Sequence, residues 1–72
     1  MPEAEHYRLA KSSMIASLER SGGTIPADVW SGILMLAESE EDEARFEDVV
    51  RAWRLVHGLN PDEDFLVGPT TH

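Results

Sequence analysis

"GILMLAESEEDEARFEDVV", residues 32–50, is the stretch on which the fold turns. Its first part is apolar on nearly every side. From Glu38 to Glu43 five of six residues are acidic, with only Ser39 between them. One helix ends here and another begins. Ser39 is placed to cap the second, its hydroxyl accepting from the N–H of Glu41 or Asp42, with Asp42 as a short capping-box partner three residues on. Acids in a first turn gain from the positive end of the helix dipole, about 0.3–1 kcal/mol each at a surface. Downstream, Phe46, Val49, Val50, Trp53 and Val56 recur at helical spacing, and Glu41–Arg45 and Glu47–Arg51 are i,i+4 pairs. Gly58 stops this helix, predicted over residues 40–57.

Upstream, Pro26 opens a helix predicted over residues 26–38, with Asp28 suited to its positive end. Val29, Trp30, Ile33, Leu34, Met35 and Leu36 leave it apolar on most faces, which suits a central helix or one shared with a partner. The first helix is predicted over residues 3–21, with Tyr7, Ala10, Met14, Ile15 and Leu18 as its stripe and Gly22–Gly23 as its stop. After Gly58, "NPDEDFLVGPTTH" reads as a short helical turn at 61–66 and a loose tail at 68–72, with Phe65, Leu66 and Val67 folding back. No alternating run and no Asn-Gly or Asp-Gly hairpin competes. The expectation is an all-α, small three-helix bundle with a short C-terminal helical turn and loose tail, one domain over residues 1–72.

The totals agree with a thin-margined small domain. There are 72 residues, no cysteine and 42% hydrophobic side chains, so no disulfide or thiolate site helps a core of limited size. No apolar run reaches the ~20 residues of a membrane span, and the start lacks a signal-peptide pattern, which makes the cytoplasm the expected location. Arg supplies five of the six bases, a usage that fits a GC-rich bacterial or phage source. Net charge is −8. Acids and bases balance over residues 1–23, and the excess falls on residues 24–72. Such a field repels nucleic acid and lipid headgroups and attracts basic surfaces.

Catalytic and metal patterns fail on spacing. Asn60, Asp62 and Asp64 match the first three positions of a calcium loop, but Phe65 stands where Gly is required and Thr71 where Glu is required. His6, His57 and His72 do not cluster in sequence, and no H-E-x-x-H or phosphate-binding glycine loop occurs. His6 reads as a surface residue of the first helix, and His57 as a cation suited to a helix C-terminus. The expectation is no catalysis, no cofactor and no metal.

What remains is an interaction protein: a small acidic module that binds and regulates or inhibits a larger, basic-surfaced partner, as inhibitors, antitoxins and DNA mimics do. The expected contacts are Glu38, Glu40, Glu41, Asp42, Glu43, Asp62, Glu63 and Asp64, with Trp30 and Trp53 as apolar anchors where they are not core. Two other readings compete. One is a helix-turn-helix DNA regulator, although its recognition helix would offer no Arg, Lys, Asn or Gln to bases. The other is a small structural or accessory subunit, homodimeric through the apolar second helix.

Overall fold

The computed structural model describes residues 4–68. Helix α1 spans Glu5–Ser21, strand β1 Ile25–Pro26, helix α2 Ala27–Leu34, helix α3 Glu40–Val56 and strand β2 Leu66–Val67. The three-helix architecture is the predicted one. Residue 3, assigned to the first helix, and residues 69–72 of the expected tail lie outside the described residues.

α1 buries Ala10, Met14, Ser17 and Leu18 on one stripe. It ends where Gly22 turns left-handed at φ 74° and the Gly23 N–H reaches back 2.9 Å to the Leu18 carbonyl. That six-to-one bond closes the helix and absorbs a carbonyl the last turn would otherwise leave open. α3 ends the same way: Gly58 has φ 77°, and the Leu59 N–H donates to the Arg54 carbonyl at 2.8 Å.

α2 is shorter than the 26–38 expected. Leu36 and Ala37 donate three residues back, to Ile33 and Leu34, so the chain tightens into turns after Leu34. It must then straighten, because Ser39 is fully extended (φ −162°, ψ 169°) to cap α3, and its hydroxyl accepts the Asp42 N–H at 3.3 Å. Apolar periodicity continued through Leu36, but the needs of the next cap ended the helix. Nor is α2 the centre of the fold. α1 packs against both α2 and α3, which meet each other little. Trp30 and Ile33 are the buried members of α2, whereas Met35 is left outside. α2 therefore spends its best apolar residues within the chain.

A strand pair was not anticipated. Ile25 and Pro26 lie parallel to Leu66 and Val67, and the Ile25 N–H donates to the Phe65 carbonyl at 2.9 Å. Two residues per strand give no alternation to read, and Pro26 is tolerated because the ladder is all edge. The predicted turn at 61–66 therefore becomes a turn followed by a strand. Phe65 does fold back, edge-on to Trp30 with ring centres 5.0 Å apart.

The core comprises Ala10, Met14, Leu18, Ile25, Trp30, Ile33, Phe46 and Val50. α3 contributes an unusual row to it. Asp42, Phe46, Val50 and Arg54, each four residues from the last, are all buried. The apolar pair in the middle is ordinary. The charged residue at each end organises the surroundings.

Candidate functional site

α1 and α3 run in the same direction: His6 meets Asp42, the Tyr7 ring stacks on Phe46, and Gly23 meets Arg54. Both helices begin at one pole and end at the other. Their dipoles therefore add, and each pole calls for a compensating charge.

At the carboxyl pole that charge is Arg54. Its guanidinium donates from Nε to the Asn60 carbonyl at 3.0 Å, from one terminal nitrogen to the Gly23 carbonyl, and from the other to Glu63 Oε1 at 2.7 Å. A buried guanidinium is stable only with such partners, and here two loop carbonyls beyond the ends of α1 and α3 and a carboxylate provide them. Gly23 is forced by the same packing. It has φ 116°, and a Cβ there would lie 2.5 Å from Leu59 Cδ1 and 3.2 Å from the guanidinium.

At the amino pole the charge is Asp42. Its Oδ2 accepts the Glu38 N–H at 2.9 Å and lies 3.1 Å from His6 Nε2, while Oδ1 is 3.7 Å from Arg45. Glu38 Oε2 lies 3.6 Å from the other ring nitrogen of His6. The bond from the Glu38 N–H, above all, holds the Asp42 carboxyl below its ordinary value of 3.8, against the opposing effect of burial; His6 and Arg45 add to the lowering. His6, Glu38 and Asp42 together bring one donor atom each to within 4.8 Å of one another, a set able to hold a metal ion. His6 is thus half-buried and engaged rather than a simple surface residue. Residues 36 apart give no local signal of this, and nothing in the sequence pointed to it.

The eight expected acidic contacts do not form one patch. Glu40, Glu41 and Glu43 face solvent at the amino pole, and Glu38 is exposed beside His6. Asp42 departs from the expectation: its carboxylate is turned inward and spent on the chain. Asp62, Glu63 and Asp64 sit at the opposite pole, where Glu63 is committed to Arg54 and Asp64 accepts the Leu66 N–H at 3.0 Å. The row from Asp42 to Arg54 is about 18 Å long at the α-helical rise, which keeps the two acidic groups apart. Arg45 pairs with Asp42 rather than Glu41, whereas Arg51 does meet Glu47, at 3.7 Å.

The two tryptophans also separate. Trp30 is core. Trp53 is only half-buried and floors an open groove of about 490 Å³ between α1 and α3, with Tyr7, Ile15, Val49, Ala52 and Val56 as its apolar walls and Lys11 and Arg45 on its rim. His57 stacks on Trp53 at 3.7 Å, with its Nδ1 2.8 Å from the Trp53 carbonyl, and closes the carboxyl end of the groove. Glu41 precedes Arg45 by one turn on the same helical face, so Glu41 is the acid of the first turn that faces the groove's other end. Among the described residues no helix is long and apolar enough to cross a membrane.

No protein-family model, curated protein or solved structure matches the chain.

Proposed function

We propose that this chain is an acidic helical docking module that binds and regulates or inhibits a larger, basic-surfaced protein. One observation supports the reading: exposed Glu41 stands one turn before Arg45 of an apolar groove lined by half-buried Trp53, with exposed Glu40 and Glu43 in the same turn. The carboxylates steer a basic partner and fix its orientation, and an apolar side chain of that partner fills the groove and supplies most of the affinity. The acids cost the fold little, because they stand over two helix N-termini whose dipoles favour them. The inward Asp42 keeps that turn in place rather than touching the partner.

The test is capture from the native host by the tagged full chain, compared with Glu40→Lys/Glu41→Lys/Glu43→Lys and, separately, Trp53→Ala. Folding of each variant is checked by circular dichroism. Loss of the same captured protein in both folded variants is the expected result. Undiminished capture by the charge-reversed chain removes the acidic pole from the binding surface.

A further inference from the structure

We propose that His6, Glu38 and Asp42 form a binding site for a divalent transition-metal ion of the zinc class. The three residues come from α1, the loop before α3, and the first turn of α3, and their donor atoms lie within 4.8 Å of one another. The central pair has the separation that coordination requires. His6 Nε2 and Asp42 Oδ2 are 3.1 Å apart. With metal bonds of about 2.1 Å to each, they subtend about 95° at the ion, between octahedral and tetrahedral values. An ion at those distances lies off the line between the two atoms, so binding displaces any proton between them and turns the imidazole toward the ion. Asp42 Oδ2 keeps its bond from the Glu38 N–H, which fixes the carboxylate as a hydrogen-bonded outer partner fixes a metal ligand. Glu38 completes the set. Its side chain is 74% exposed, and its Oε2 lies 3.6 Å from His6 Nδ1, the ring nitrogen that does not face Asp42, so the carboxylate reorients to join the ion.

The donor set selects the ion. Calcium and magnesium favour all-oxygen surroundings, whereas one imidazole with two carboxylates suits zinc and its first-row neighbours. The local field is mixed. Arg45, 3.7 Å from Asp42 Oδ1, and the positive ends of α1 and α3 oppose a cation. Arg45 is 63% exposed and screened by solvent, while Glu38, Asp42, Glu40, Glu41 and Glu43 surround the site with negative charge. Because the ligands belong to separate segments, the ion staples the start of α1 to the start of α3, and its binding adds to folding stability by mass action.

The test uses the full 72-residue chain, with zinc as the probe and magnesium as the comparison ion. Calorimetric titration near neutral pH should show one zinc per chain, and zinc but not magnesium should raise the melting temperature. His6→Gln, which keeps a donor toward Asp42, and Glu38→Gln, on an exposed side chain, should each weaken zinc binding at least about tenfold, since loss of even an outer-shell partner costs 10- to 100-fold. His57→Gln should bind as the parent does. Zinc should also shift the NMR resonances of the His6 ring and leave those of His57 in place. Absence of one-to-one zinc binding, or equal binding by the His6→Gln chain, overturns the proposal. These outcomes are independent of partner capture, so the docking reading stands or falls separately.

Discussion

The two ends of α3 solve one problem in opposite ways. Both lie where like ends of two parallel helices meet side by side, and both bury a side chain of the sign the dipoles demand. Arg54 is met mainly by backbone: two carbonyls that glycine-bounded turns hold in place, plus one carboxylate. Asp42 is met by one backbone N–H, from Glu38, and by two side chains, His6 and the more distant, exposed Arg45. The two carbonyls are fixed by their turns, so the carboxyl pole is a structural lock. Side chains near solvent can exchange partners, and the proposed acidic contacts and ion site both lie at the amino pole.

The comparison breaks most visibly at Arg54. Arg54→Met should destabilise the chain by about 3 kcal/mol, because the Gly23 and Asn60 carbonyls lose their donor in a buried setting. A small domain has on the order of 5–10 kcal/mol in total, so urea unfolding followed by circular dichroism should show a midpoint moved far toward zero. Gly23→Ala tests the same pole through the backbone. The positive φ and the close Leu59 side chain should together cost about 2 kcal/mol, with the melting temperature reduced accordingly. At the other pole Asp42→Asn should give the smallest loss near neutral pH and a distinct pH signature. The native carboxyl titrates below its unfolded counterpart, so its contribution is present above the ordinary value of 3.8 and disappears as pH falls through the lowered native one. Acid unfolding of the parent should therefore be steeper than that of Asp42→Asn across that window. Equal slopes would show that the amino pole does not depend on this ion.

Much of this was legible in residue order. Periodicity located three helices, the Gly22–Gly23 pair and the single Gly58 located two of their ends, and Ser39 was identified as a cap because the cap and its N–H partner are three residues apart. What escaped was non-local. Arg54 falls on the Phe46–Val50 row at the next i+4 position, so a strict reading of the stripe could have placed it inside, but its charge kept it off the list of apolar positions. The contact between His6 and Asp42 exists only once α1 and α3 lie side by side, and the β1–β2 pair is too short to leave a pattern. The acidic run illustrates the limit: six adjacent residues split into solvent-facing carboxylates, one beside a histidine and one buried, a division that only three-dimensional packing decides.

The two-residue ladder has a consequence for synthesis. β1 emerges from the ribosome early, yet the Ile25 N–H must wait for the Phe65 carbonyl. Arg54 likewise waits for Glu63, and Trp30 for the edge of the Phe65 ring. A nascent chain arrested before residue 60 carries all three helices and the whole core but lacks these last clasps, so the finished shape is reached only after the last strand has been translated.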